Sequence, residues 1–382
     1  MKLARLVLAL IAVSAVLTGS ISARGTAQVV TIDGIVHVRN SETPLKGTVK
    51  LEAQKVLTIN PYDQPDVGFS AFGFQRGTDG EVMLYSDTEL HRFGPKGEYR
   101  GRLSREGQGP GEFGKWSGAM PFFLGDGIWV SSGQKLAEFD RTGKLITERT
   151  LKIRPSFLID KTRFLAERRD RSPDGLSEGK ALVLVRFSKE SLADVEEVEY
   201  LKGSDLGSIR KKDGKAGLSD PWGTPNLCFG CDVSAGRVYA AINTEYKILV
   251  KDLKGDTLLV IEKAHIRPKV DRGDIELMIG SFVKSEAGKW IPDAYPDRYV
   301  AMNLIQPMAN GILLVRRVTG PKQSAIDVFG PDGRFLYVLL PPEGLAFDSM
   351  AFHAGGFSRT AKIDDFLVYE DYRITNLPEV FK

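Results

Sequence analysis

Two short runs hold the residue types from which chemistry is most readily built. The first is Gly107 to Lys115, GQGPGEFGK. Within it, Gly109 to Lys115 satisfies the GxxxxGK spacing of phosphate-binding loops, and Gly109, Gly111 and Gly114 satisfy the GxGxxG spacing of dinucleotide folds. Both motifs work only between a strand and a helix N-terminus, whose amides and dipole hold the phosphate. Here Trp116 stands where Ser or Thr would hold magnesium, and the following SGAMPFF reads as a strand. Nucleotide binding is not expected. The second run is NLCFGCD, with Cys228 and Cys231 three apart. Zinc would need two further ligands at compatible spacing, and no second CxxC or HxxxH exists. Haem attachment needs histidine after the second cysteine, where Asp232 stands. A thioredoxin-type role wants the pair opening a helix, whereas this pair precedes a strand pattern. A local Cys228–Cys231 disulfide is the expectation, with free thiols as the alternative.

Little else is arranged for catalysis. The four histidines, His37, His91, His265 and His353, show no metal spacing, and His37 and His91 alternate with apolar residues as strand positions do. No GxSxG elbow, HExxH motif or EF-hand loop is present.

The N-terminus bears on where the chain works. Lys2 and Arg5 precede an apolar run from Leu6 to Leu17, followed by small and polar residues up to Ala27. That order is the signature of a secretory signal, and the apolar run is too short to span a bilayer. Residues 1–27 are predicted to be removed, leaving an exported chain with no membrane span. Removal takes away Lys2, Arg5 and Arg24 and no acidic residue, so the net charge falls from +3 to about 0. Such a balance argues against nucleic acid as a partner. The run Arg210-Lys211-Lys212 reads as a solvated loop.

The elements that would position any site are short strands that repeat. Residues 78–103, 125–151, 235–261 and 310–340 each follow one pattern: a Gly-containing turn, an alternating strand, a polar turn, a second strand, an x-x-Gly turn and a third strand. The turns Lys96-Gly97, Thr142-Gly143, Lys254-Gly255 and Asp332-Gly333 place Gly where a tight hairpin tolerates a positive φ. Inner strands are predicted at Phe69 to Phe74, Ala119 to Leu124 and Asn303 to Pro307. More degenerate units cover 156–201, with a polar insert from Asp170 to Lys180, and 345–382. The early segments VVTIDGIVHVRN and VKLEAQKVLTI would supply the missing strands of the last unit. A four-stranded sheet of this size must stack on copies of itself. The prediction is an all-β, six-bladed β-propeller of four-stranded antiparallel blades, a single domain over residues 28–382, expected to be a monomer. Insertions at about 202–230 and 265–302 break the rhythm. The second should hold a helix capped by Asp271, with Ile275, Met278, Ile279, Phe282 and Val283 on one face.

GQGPGEF followed by an inner strand, GIWV, a polar turn, KLAEFD and TGK resembles the NHL repeat, and more closely the bacterial exported six-bladed propellers that share this signature. Ser131 and Lys135-Leu136 depart from the NHL pattern, so its RNA- or protein-binding surfaces are not carried over. The resemblance implies that Gly107, Gly109 and Gly111 form a structural crossing between blades, with Phe113 packed between them. Enzymes of related architecture, lactonase-like or amidating-lyase-like, hold calcium or zinc in the axial channel. Asp66, Asn226, Asp232 and Asn303 lie near inner strands as possible ligands. The mostly apolar or amide-bearing inner strands favour no cofactor. They favour a module that binds an unidentified protein, peptide or small molecule over a metal-dependent hydrolase or lyase with a site at the ring mouth.

Overall fold

The computed structural model describes residues 25–64, 73–86, 89–114, 118–171, 178–187, 194–204, 206, 208–210, 217–219, 223–279, 284–285, 289–321, 323–363 and 366–381. Residues 1–24 of the expected signal 1–27, and Asp66, Lys115, Trp116, Phe282 and Val283, lie outside them.

Six antiparallel four-stranded units form a six-bladed β-propeller. From inner to outer strand, blade one is Gly73–Arg76, Val82–Tyr85, Leu90–Phe93 and Tyr99–Ser104, and blade two is Met120–Leu124, Gly127–Ser132, Lys135–Phe139 and Leu145–Thr150. Blade three is Phe157–Leu158, Arg163–Arg171, Glu178–Phe187 and Asp194–Gly203. Its strands run into both ends of the expected Asp170–Lys180 insert, because the ladder continues as far as Arg171 opposite Glu178. Blade four is Leu227–Asp232, Arg237–Ile242, Lys247–Asp252 and Thr257–Lys263, and blade five is Met302–Pro307, Leu313–Gly320, Gln323–Phe329 and Phe335–Leu340. Blade six takes Met350–His353, Gly356–Ile363 and Phe366–Ile374 from the C-terminal end, and Ala53–Ile59 as its outer strand. That last strand closes the ring.

The rest of the N-terminal segment is placed differently from expectation. Ile35–Asn40 pairs parallel to Thr257–Lys263 on the outer edge of blade four, with Ala27–Ile32 antiparallel outside it. Thr48–Lys50 then pairs parallel to Phe335–Leu340 on blade five. The N-terminus is a strap along the rims of blades four and five before it closes blade six. Buried Asn40 pins it: Nδ2 donates to the carbonyls of Val38, Glu262 and Gly333, and Oδ1 accepts from the Phe335 amide.

The core lies between blades. One cluster joins blades four and five through Tyr239, Ile248, Ile305, Val315 and Phe329, and another joins blades one and two through Met83, Leu90, Ile128 and Phe139. Alternating burial along each strand follows from the period of two that sends side chains to opposite sheet faces. The turn glycines Gly97, Gly143, Gly255 and Gly333 all adopt positive φ, between 79° and 94°. The insertion after blade four contains α1 (Arg272–Ile279) and α2 (Ile291–Ala294). Asp271 caps α1 as expected, its Oδ1 accepting from the Asp274 amide at 2.8 Å. Ile275 packs with Ile291 and Tyr295, so the insertion has a small core of its own. Residues 202–230 are not all loop, since Ser208–Arg210 and Gly217–Ser219 pair.

Candidate functional site

In an up-and-down blade the inner strand starts where the second ends, the third starts and the fourth ends. One end of the ring therefore gathers the starts of all inner strands. Two asparagine amides there are held by cations. Asn226, just before the inner strand of blade four, accepts through Oδ1 from Lys180 Nζ of blade three at 3.1 Å. Lys180 is buried, with Glu167 Oε2 3.7 Å away. Asn303 Oδ1 accepts from Arg316 Nε at 2.7 Å, and Arg316 Nη1 donates to the carbonyls of Phe347 and Asp348 at 2.9 Å. Arg154, just before the inner strand of blade three, donates to the carbonyl of Gly118. Burial pulls the pKa values of Arg154 and Arg316 down and pushes the Tyr85 phenol up. Asp232 lies at the opposite end, where its Oδ1 closes a turn by accepting from Ser234 Oγ and the Ala235 amide. Among the described residues, no three of His, Cys, Asp and Glu come together in a metal-holding group.

At that opposite end, blade six assembles Ser358, His353 and Asp371. Their order is wrong for nucleophilic catalysis. Ser358 Oγ donates to Asp371 Oδ1 at 3.0 Å, and His353 Nε2 meets the same oxygen at 2.7 Å. The carboxylate thus separates the hydroxyl from the imidazole, and His353 Nδ1 is engaged with the Ala354 carbonyl at 3.1 Å. Neither ring nitrogen is left to take the serine proton, which a triad requires.

The glycine run lies between the outer strand of blade one and the inner strand of blade two. Its amides are occupied by the chain's own oxygens. Gly107 N donates to the Phe113 carbonyl, Gly109 N to Glu112 Oε2 at 2.9 Å and Gly111 N to Glu148 Oε2 at 2.7 Å. Lys135 Nζ sits against the carbonyls of Gly109 and Glu112. Two carboxylates hold amides that a phosphate would need. Phe113 is buried in the cluster shared by blades one and two.

The disulfide expectation is corrected by the strand that carries the pair. Cys228 and Cys231 both lie within Leu227–Asp232, and both thiols are free and buried. Residues three apart on an extended strand point to opposite faces. Cys228 packs toward blade five, Cys231 toward blade three. Burial pushes both thiols up to about 12, so neither is a ready nucleophile.

A further polar cluster, unmarked by any motif, lies at the seam of blades four and five on the end where inner strands start. Asp327 is fully buried and accepts from Tyr246 Oη at 2.6 Å, Lys263 Nζ at 2.8 Å and Arg317 Nε at 3.0 Å. Lys263 also lies over the rings of Tyr246 and Phe335. Burial lowers the Lys263 pKa against the pull of Asp327, and burial together with Asp327 raises that of Tyr246. His265 stands edge-on to Tyr246, and burial with the Lys263 and Arg317 charges holds its pKa down to about 4. The four members, Asp327 and its three partners, come from three strands and one turn, so only the alternation of Lys263 and Asp327 within apolar strands hinted at it.

No protein-family model matches the chain, and no curated protein matches it. Among solved structures, a member of the DUF4221 family from Bacteroides vulgatus aligns with a TM-score of 0.50 and 11% identity, covering 86% of this chain and 99% of that one. A candidate exported protein from Bacteroides fragilis aligns at 0.45 and 11%, over 87% and 99%. Regucalcin, a calcium-binding protein from Agrobacterium tumefaciens, aligns at 0.36 and 11%, over 86% and 96%. At this identity the likeness is one of fold. Among the described residues no helix is long and apolar enough to cross a membrane.

Proposed function

We propose that this chain is an exported binding module that takes an acidic protein, peptide or small-molecule ligand at the ring end where the inner strands start. One observation carries the reading: Asn226 and Asn303, at the starts of the inner strands of blades four and five, are engaged by Lys180 and Arg316. Lys180 and Arg316 occupy the amide oxygens that a divalent cation would use, and their charge, offset in part by Glu167 beside Lys180, favours an anionic group. The lactonase-like or lyase-like alternative would need carboxylates or imidazoles converging on calcium or zinc, a pattern missing among the described residues. Export rests on the order of charge, apolar run and small residues in 1–27.

Titration of the mature protein with a fluorescent oligo-aspartate peptide and its oligo-asparagine counterpart tests this. Saturable binding of the acidic peptide alone, weakened by salt and by Lys180→Gln, is expected. Equal binding of both peptides would contradict it.

A further inference from the structure

The seam of blades four and five opens to solvent as a cleft of about 370 Å³ lined by Glu42, Lys263, His265, Ile266, Pro268, Arg317, Val318 and Thr319. Lys263 and Arg317 of the Asp327 cluster form its floor, with Asp327 buried behind them. We propose that this cleft is a binding site for a small organic monocarboxylate carrying an apolar group, with Arg317 as its anchor. The site is separate from the axial mouth and stands whether or not the binding reading of that mouth does.

The argument begins with Arg317. Its Nε is fixed by Asp327, at 3.1 Å from Oδ1 and 3.0 Å from Oδ2, while its terminal nitrogens make no hydrogen bond among the described residues. The side chain is 18% exposed, and it lines the cleft. An immobilised guanidinium with two free parallel donors suits the two oxygens of a carboxylate, and ordering it in advance removes part of the entropy cost of binding.

Charge selects the class of anion. Lys263 and Arg317 bring two positive charges to the single negative charge of buried Asp327, so the floor carries one net positive charge. Exposed Glu42 stands on the rim with the opposite sign. A monoanion neutralises the floor, whereas a dianion such as sulfate meets Asp327 beneath and Glu42 beside it. A second unpaired group lies near: Nε2 of His265 is buried with no hydrogen-bond partner among the described residues. The apolar part of the ligand would lie on Ile266, which is 77% exposed, and on Pro268 and Val318.

Isothermal titration of the mature protein with butyrate and benzoate, against butyramide, benzamide and sulfate, tests the proposal. One-to-one binding of the carboxylates is expected, at least about tenfold tighter than their amides or sulfate. Arg317→Gln should abolish it. That variant also removes a partner of Asp327, so Glu42→Gln provides an independent check on a folded protein: affinity should rise about two- to fivefold as the rim charge is lost. Amides binding as well as carboxylates, sulfate binding more tightly, or an unchanged affinity in Glu42→Gln would each overturn the assignment. None of these outcomes bears on the oligo-aspartate titration, so the two readings fail separately.

Discussion

Asp327 pairs with two cations at the seam of blades four and five, and its replacement has a defined consequence. Asp327→Asn leaves buried Lys263 without a counter-charge and half-buried Arg317 without its partner, and breaking a buried pair costs about 3–5 kcal/mol. Urea unfolding should show a loss of that size, whereas Tyr246→Phe, which removes one hydrogen bond, should cost about 1 kcal/mol. A smaller loss for Asp327→Asn than for Tyr246→Phe would contradict the assignment. His265 adds a pH dependence. Its folded pKa of about 4 lies below its ordinary 6.5, so between these values the unfolded chain binds more protons than the folded one. Stability should therefore fall as pH drops from 6.5 towards 4, and His265→Phe should flatten that slope. Neither group was legible in the sequence as part of a site, because its partners come from other strands. Gly111 was legible as a backbone position. It adopts φ +73°, and a Cβ there would stand 3.3 Å from the Phe139 ring. Gly111→Val should lower stability by about 1–3 kcal/mol, with no nucleotide affinity to lose.

The turn between third and outer strands shows how one residue type does two jobs in an element. In blades one, two, four and five its glycine closes the hairpin by donating to the carbonyl three residues back. The same glycine lies against the outer strand of the preceding blade: Gly97 by Leu57, Gly143 by Leu103, Gly255 by Val198 and Gly333 by Leu259. A periodic glycine is thus visible in sequence both as turn chemistry and as the mark of a seam. The strap is the converse case. Ile35–Asn40 reads as a strand in any window, but nothing local says that it pairs parallel to Thr257–Lys263, more than two hundred residues away. Asn40, polar within an apolar alternation, is the clue that period alone passes over. Asn40→Ala strands the Phe335 amide and loosens blades four and five, and should cost about 1–3 kcal/mol by chemical denaturation. A neutral result would show that the strap is held by its ladder alone.

Across the whole molecule, the blade count was readable because each sheet is too small to stand alone, so a repeat implies a ring. The closing strand was readable too, since the last unit lacked one. Its exclusive role for Ala53–Ile59 was not, because the preceding segments have equal strand character. Deleting residues 25–47 should leave a folded but less stable ring, and extending the deletion through residue 59 should abolish cooperative melting followed by circular dichroism. The end of the ring at which binding is proposed was hidden for a physical reason. Asn226 and Asn303 were visible as inner-strand amides, but Lys180 reaches Asn226 from the neighbouring blade and Arg316 reaches Asn303 from the adjacent strand, and the proposed reading rests on that occupation. The most direct test is elemental analysis of the mature protein after dialysis against calcium and zinc, read beside a lactone hydrolysis assay. The binding account predicts less than about 0.1 metal ion per chain and no hydrolysis above background. One calcium or zinc per chain, removed by chelation together with a lactonase activity, would contradict it.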